Sequence, residues 1–457
     1  MMERYAIILA AGKGTRMKSN LYKVLHQVAG KPMVAHVLDA VSGLNPVKTI
    51  TVVGHGADAV KAALGERSEF VLQAEQLGTG HAVAQAEVLL KDLSGHTLVT
   101  YGDTPLLTAE TLDAAFKFHI ENEMKATVLT AIAPDPFGYG RIIRDDLGHV
   151  QRIVEQKDAS LAQAEITEIN TGTYIFDNRL LFEALAQVDT NNAQGEFYVT
   201  DAIGILKAAN QHVGAYVMSD FNESLGVNDR IQLSFAEKIM RQRINRRHMR
   251  QGVSLIDPEN TYIESDVVIG TDTIIEANVR LKGKTIIGSG NFISSGTEII
   301  DSTIGDNVSI RQSVIEESII HQGSDVGPFA HIRPMSELLE NVHVGNFSEI
   351  KKATLGRGTK VGHLSYIGDV SVGEDVNFGA GVIIVNYDGK SKFHSEIADY
   401  AFIGSNSNII SPVKVGENAL IAAGSTITQD VEAADLAIAR AKQVNKTARA
   451  KGKPHYR

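Results

Sequence analysis

Residues 263–299 read IESDVV-IGTDTI-IEANVR-LKGKTI-IGSGNF-ISSGTE-I, an aliphatic residue every six positions without a break (Ile263, Ile269, Ile275, Leu281, Ile287, Ile293, Ile299). The register resumes at Ile320, Val326 and Ile332, at Val344 and Ile350, and at Leu355, Val361 and Ile367. Its last run is Ile397, Ile403, Ile409, Val415, Ile421 and Ile427. Period six predicts a parallel β-helix: each face of a coil turns one aliphatic inward, and each coil stacks on the last. A sandwich would show period two within strands and would not hold six over so many coils. The register breaks around Arg333–His343 and Val385–Glu396, so both segments are expected to be loops extruded from the solenoid, where chemistry tends to sit.

Upstream the pattern differs. Tyr5–Leu9, Thr49–Val53, Phe70–Leu72 and Thr97–Tyr101 read as buried strands, and Pro32–Val41, Ala57–Leu64 and Gly80–Leu90 as helices. That alternation predicts an α/β, Rossmann-like domain with a parallel sheet and right-handed crossovers. The expected organisation is a domain over 1–228, a linker helix over 229–250 and the β-helix over 251–457 with a basic tail from Arg440. The linker carries Arg230, Lys238, Arg241, Arg243, Arg246, Arg247 and Arg250 beside Ile231, Phe235, Ile239, Met240 and Ile244. It reads as an amphipathic connector with a solvated basic face rather than a nucleic-acid arm.

Composition narrows the function. The 457 residues carry 44 Lys+Arg against 54 Asp+Glu, a net charge of −10, which argues against nucleic-acid or anionic-membrane binding as the main task. No apolar run reaches the roughly 18 residues that span a bilayer, and Met1–Gly12 has no signal-peptide pattern. A cytoplasmic protein is expected. With no cysteine, disulfides, thiolate metal sites and a cysteine nucleophile are excluded.

After the first predicted strand comes Leu9-Ala-Ala-Gly-Lys-Gly-Thr-Arg-Met17. Gly12 and Gly14 let backbone approach a phosphate, and Thr15, Arg16 and Lys23 add donors and charge. By spacing alone this is a generic turn as readily as a phosphate site, since it is neither GxGxxG nor a Walker A loop. The stretch nevertheless resembles the signature of sugar-1-phosphate nucleotidyltransferases. Gln73-Ala-Glu-Gln-Leu-Gly-Thr79, Tyr101-Gly-Asp103, Gly138-Tyr-Gly-Arg141, Ile153-Val-Glu155, Glu168-Ile-Asn-Thr-Gly172 and Gly226-Val-Asn-Asp229 follow in that family's order.

With the hexapeptide half included, nearly the whole chain resembles the bacterial bifunctional N-acetylglucosamine-1-phosphate uridyltransferase / glucosamine-1-phosphate N-acetyltransferase family. The resemblance implies a left-handed β-helix, a homotrimer, and UTP and acetyl-CoA as cosubstrates. It implies a uridyl site of Leu9, Ala10, Ala11, Gly12, Arg16, Lys23, Gln73, Gly78, Thr79, Tyr101, Gly102, Gly140, Glu155, Asn170 and Asn228, with Mg²⁺ on Asp103 and Asn228. Hard oxygen donors suit that ion. Tyr22 stands where many relatives carry Pro.

For the second half the resemblance implies His363 as general base, with Arg333, Lys351, Tyr366 and Asn377 on the sugar phosphate. Ala380, Asn386, Tyr387, Ser405, Ala423 and Arg440 are implied to face acetyl-CoA. Histidine suits an amine-deprotonating base near neutral pH, and without cysteine the acetyl group is expected to move directly. Val382 stands where relatives often have Thr, which puts the shape of the acetyl pocket in question. A monofunctional nucleotidyltransferase with a regulatory β-helix, or a non-catalytic subunit of the same two modules, are the competing readings.

Overall fold

In the computed structural model, residues 3–449 and 451 are described, except 55, 147 and 193. The chain divides into two units, Met1–Met240 and Arg241–Arg457.

The first unit is built on β1 (Arg4–Ala10), β2 (Lys48–Val53), β3 (Glu69–Leu72), β4 (His96–Tyr101), β5 (Ala126–Ile132), β6 (Arg141–Arg144), β7 (Val150–Val154), β8 (Glu168–Asp177) and β9 (Val213–Val217). The sheet order is β9-β5-β8-β4-β1-β2-β3, with the β6–β7 hairpin attached to β8. After Arg4, strand β1 carries no charged side chain and is buried, because both its faces are covered. Tyr5, Ile7 and Leu9 pack into one core and Ala6, Ile8 and Ala10 into the other.

The four strands expected from the sequence are parallel neighbours, β4-β1-β2-β3. The sheet as a whole is mixed, however: β8 runs antiparallel to both β4 and β5. The chain enters β8 from the β6–β7 arm and not from a crossover helix, so the all-parallel expectation fails there. The expected helix Gly80–Leu90 is two short ones, Thr79–Ala84 and Glu87–Leu90.

Of the four buried histidines of this unit, His26, His36, His96 and His119, the last two lie against each other. His119 is fully buried, with Nδ1 2.8 Å from Thr127 Oγ1 and Nε2 3.0 Å from His96 Nδ1. Burial, reinforced by His96, pushes His119 down to about 3, and burial lowers His96 as well. In the unfolded chain both would protonate near pH 6.5. Their contribution is therefore present above that pH and lost as pH falls from 6.5 toward 3. Unfolding free energy of this unit is expected to drop by about 1.4 kcal/mol per pH unit for His119 in that window. Urea midpoints at pH 7, 6 and 5 check this, and His119→Gln should flatten the dependence.

The helix Arg230–Arg250 divides its packing. Leu233, Ala236, Ile239 and Met240 join Val28, Met33, Leu106 and Val227 in a core of the first unit, and Glu237 accepts from Ala29 N at 2.6 Å. Within the second unit, Asn245 Nδ2 donates to the Pro258 and Thr261 carbonyls, and Arg241 lies 4.6 Å over the Tyr262 ring. Arg241 is half-buried there, whereas Arg230, Lys238, Arg246, Arg247 and Arg250 are exposed, as expected of a solvated basic face. Ile231 and Phe235, expected on the apolar stripe, are exposed. A chain ending at Asp229 loses the four core-packing residues, whereas one ending at Met240 keeps them. At about 1 kcal/mol for each of these side chains, the shorter chain should melt about 10 °C lower, as circular dichroism would record.

The second unit is a parallel β-helix. Tyr262 pairs with Arg280, Val268 with Ile286 and Ile274 with Phe292, so one coil is three six-residue repeats. Every aliphatic of the period-six register is buried. A second inward column, two residues earlier, holds small side chains such as Thr261, Thr273, Thr285, Ser348 and Ser365. Val382 belongs to this column and is fully buried, so the Thr-to-Val departure bears on the coil interior and not on a surface pocket.

Of the two expected loops, one exists. Between Ile383–Val385 and Ser395–Ile397 the chain leaves the stack, and Asn377 pairs with Phe402, 25 residues on. Residues 333–343 stay in register: Leu338, six from both Ile332 and Val344, is buried, and Glu337 pairs with Ile319. The β-structure ends at Leu436–Ala437. Of the basic tail, residues 450 and 452–457 lie outside the described residues.

Candidate functional site

The first site lies at the carboxyl ends of β1 and β4, where open α/β sheets bind ligands. A cavity of about 320 Å³ is lined by Leu9, Ala10, Ala11, Gly12, Lys23, Gln73, Gly78, Thr79, Tyr101, Asp103 and Asn228. All eleven were singled out from the sequence; Val24, Gln76, Ala82 and Glu196 also line it and were not. The loop after β1 turns at Gly14, whose φ is +61°. A Cβ there would lie 2.4 Å from Lys23 Cβ, so glycine lets the lysine fold back under the loop.

Lys23 Nζ forms an ion pair with Asp103 and donates to Asn228 Oδ1 at 3.1 Å; Arg16 donates to the same oxygen at 3.0 Å. Two accepting oxygens from distant segments thus converge on one cation. Tyr22, the departure from Pro, packs its ring against Gly56, where a Cβ would fall 2.3 Å from Cε2. Its hydroxyl is buried without a hydrogen-bond partner among the described residues. The tyrosine occupies space that Gly56 leaves open, and the turn Lys23–Leu25 follows it.

Gln73 is buried, and its Nε2 donates to the Gly78 carbonyl at 3.1 Å. Gly78 has φ +117° and approaches the Phe197 backbone so closely that a Cβ would lie 2.4 Å from its oxygen. Gly102 N donates to Leu9 O at 2.9 Å, tying the two strand ends together.

Gly140, Glu155 and Asn170 converge as a second group. Asn170 N donates to Gly140 O at 2.8 Å, and a Cβ on Gly140 would lie 3.4 Å from both Asn170 Cβ and Glu155 Oε1. Gly172 lies against the Tyr101 ring, 2.5 Å from a would-be Cβ. Burial, then Asp158 and Asp201, raises the Glu155 carboxyl. Burial, then Asp103 and Glu155, raises Tyr101, which keeps the phenol neutral.

The second site follows from the register of the β-helix. Val344, Val361, Phe378, Ile403 and Ile421 pair in succession. Two residues beyond each stand Asn346, His363, Ala380, Ser405 and Ala423, which form one column up a corner of the coils. Leu364 N to Asn346 O, Gly381 N to His363 O, Asn406 N to Ala380 O and Gly424 N to Ser405 O tie the column together at 2.8–3.1 Å. Arg440 Cδ lies 3.9 Å from a would-be Cβ on Gly424, at the column's upper end.

A polar cluster occupies another face. Arg333 lies one coil before Lys351 and pairs with Glu349 at 2.7 Å. Lys351 pairs with Asp369 at 3.5 Å. Asn386 Nδ2, at the base of the extruded loop, donates to Asp369 Oδ2 at 2.5 Å and to the Tyr366 hydroxyl at 3.2 Å. Asn377 lies on a third strand, paired with Lys360, outside this hydrogen-bonded cluster. Tyr387 is exposed on the loop, its hydroxyl donating to Gly389 O. Asn346, Asp369 and Glu349 were missed from the sequence. The first two lie 17 and 18 residues from His363 and Lys351, one coil away, and adding one coil length would have found them.

The comparisons with known proteins agree with this division. The nucleotidyl transferase family matches residues 5–236. The GlmU-like C-terminal hexapeptide family matches 291–381, and the bacterial transferase hexapeptide (six repeats) matches 394–429. The bifunctional protein GlmU of Enterococcus faecalis is 61% identical over 457 residues, the whole of both chains. Its counterpart from Latilactobacillus sakei is 59% identical over 98% of this chain and 96% of its own, and that of Streptococcus thermophilus is 57% identical over 100% and 99%. No helix among the described residues is long and apolar enough to cross a membrane. Two transferase modules in one chain, each with its own polar site, and full-length identity at this level place the chain in the family of bifunctional GlmU proteins.

Proposed function

We propose that this chain makes UDP-N-acetylglucosamine by two transfers, acetylation in the β-helix over 251–457 and uridylation in the domain over 1–228, joined by the helix 229–250. The observation that carries the reading is the meeting of Asp103 and Asn228 oxygens at the Lys23 ammonium, inside the cavity at the ends of β1 and β4.

In acetyl transfer, the amine of glucosamine 1-phosphate gives a proton to His363 and its nitrogen attacks the thioester carbonyl of acetyl-CoA. The C–S bond breaks and coenzyme A leaves as the thiol after taking up a proton. Arg333 and Lys351 meet the sugar phosphate, with Tyr366 and Asn377 on the sugar. Ala380, Asn386, Tyr387, Ser405, Ala423 and Arg440 hold the coenzyme, whose phosphates Arg440 suits. We place the coenzyme between subunits of a homotrimer acting in the cytoplasm on small molecules.

In uridyl transfer, a phosphate oxygen of N-acetylglucosamine 1-phosphate attacks the α-phosphorus of UTP, and the bond to the bridging oxygen breaks to release pyrophosphate. Both reactants are anions, so positioning and cations carry the catalysis. Arg16 and Lys23 hold the triphosphate, Gln73, Gly78 and Thr79 the uracil, and Gly140, Glu155 and Asn170 the sugar. Asp103 and Asn228 fit Mg²⁺: one carboxylate and one amide oxygen already converge on a cation. No group of three or more His, Asp or Glu able to hold a metal occurs among the described residues, in keeping with an ion that takes few protein ligands and keeps water and phosphate oxygens. When bound, the ion neutralises charge developing on the phosphates.

Two assays test the proposal: coenzyme A release with glucosamine 1-phosphate and acetyl-CoA, and pyrophosphate release with N-acetylglucosamine 1-phosphate and UTP. Both should turn over. Pyrophosphate release alone would reduce the β-helix to an assembly element, and neither would overturn the reading.

A further inference from the structure

We infer that Asn346 is a positioning residue that sets the tautomer of His363, keeping the proton on Nδ1 and the lone pair on Nε2. The inference rests on the reading of His363 as the acetyl-transfer base. The Asn346 Oδ1 atom lies 2.5 Å from His363 Nδ1. An amide oxygen only accepts, so the ring nitrogen facing it must donate. A neutral imidazole has one donor and one acceptor, which leaves Nε2 as the nitrogen able to take a proton. Among the described residues, Nε2 itself has no hydrogen-bond partner. Once Nε2 is protonated, Asn346 still accepts from Nδ1–H, so the contact survives the step it serves.

The corner that carries Asn346 is clamped on both sides. Its carbonyl accepts from Leu364 N at 3.1 Å, locking it to the residue after His363. Gly345 approaches the next coil so closely that a Cβ would lie 1.9 Å from Gly362 O. Phe347, at φ +57°, stacks on Phe329 with ring centroids 5.3 Å apart and planes 5° from parallel. An acceptor on a backbone held this firmly orients the ring without a conformational search. That is the office the partner of a catalytic histidine performs in general: it fixes which nitrogen carries the proton.

The test uses the full-length enzyme with Asn346→Leu, which keeps the size and removes the acceptor, Asn346→Asp, which keeps an acceptor, and His363→Ala. In the wild type, ¹⁵N shifts of the His363 ring, assigned by difference from His363→Ala, should report the Nδ1–H form. Asn346→Leu should lower kcat for acetyl transfer about 10- to 100-fold, with KM for glucosamine 1-phosphate nearly unchanged, and shift the ring toward a tautomer mixture. Asn346→Asp should retain kcat within a few-fold. A wild-type ring carrying its proton on Nε2 overturns the inference whether or not any variant folds. So does an Asn346→Leu enzyme with wild-type kcat and an unchanged ring signature, or equal loss in the Leu and Asp variants. Acetyl transfer that survives in His363→Ala defeats the base assignment instead. Loss in His363→Ala together with a wild-type Asn346→Leu defeats this inference alone.

Discussion

Asp103→Asn is expected to cut uridyl transfer at least about 100-fold, the scale seen when one charge-stabilising group is lost from a transfer site. The substitution keeps the shape and one oxygen, so Lys23 retains an acceptor in Asn228 and a second in the new amide. What disappears is a negative charge in a place where both side chains are about 15% exposed and water screens little. Mg²⁺ affinity should fall with the charge, since the remaining donors are neutral oxygens. Adding chelator to the wild type should reproduce the defect, and raising Mg²⁺ should partly rescue the variant. Acetyl transfer, measured as coenzyme A release on the same preparation, should be unaffected. A variant that releases pyrophosphate at the wild-type rate would remove Asp103 from the chemistry and leave it as the lysine's structural partner.

His363→Ala should lower acetyl transfer by roughly 10²- to 10⁴-fold, the span of general-base catalysis. The ring is exposed and lies outside the aliphatic column, so its removal leaves no cavity in the stack, and the melting temperature should stay near wild type. Uridyl transfer is the internal control. A variant still acetylating at nearly the wild-type rate would return His363 to the status of a surface histidine. The amine would then lose its proton to water or to another group.

How much of this was legible depended on whether neighbours in space were neighbours in sequence. The β-helix could be read because each inward aliphatic sits six residues from the next, and the one misjudged segment, 333–343, contained Leu338 in step with the rest. In the first unit, β1 to β4 announced themselves as apolar runs. The reversed direction of β8 did not, because antiparallel pairing with β4 joins residues as far apart as His96 and Asp177.

The residues of the uridyl cavity carried little meaning one by one. A glycine-rich turn or a single aspartate is commonplace, and the resemblance, not the spacing, singled them out. Asn346 was overlooked for a different reason. Nothing in the motif around His363 points 17 residues back, and only the coil register brings the amide to the ring. Gly56 likewise acquires its meaning only once Tyr22 is seen lying across it.

The strand pairings of the two units also imply different folding kinetics. Among the described residues, no paired strands of the β-helix lie further apart than the 25 residues between Asn377 and Phe402, whereas Arg4 must find His96 before β1 and β4 can join. Chains whose contacts are local close short loops and fold quickly, and those that pair distant strands are slower. The coils can therefore nucleate anywhere and grow one rung at a time, each stabilised by its two neighbours. The sheet of the first unit must assemble nearly whole. A defect in one coil consequently weakens that rung and the next, while a defect in β1 or β4 strikes at the only route by which its domain can form.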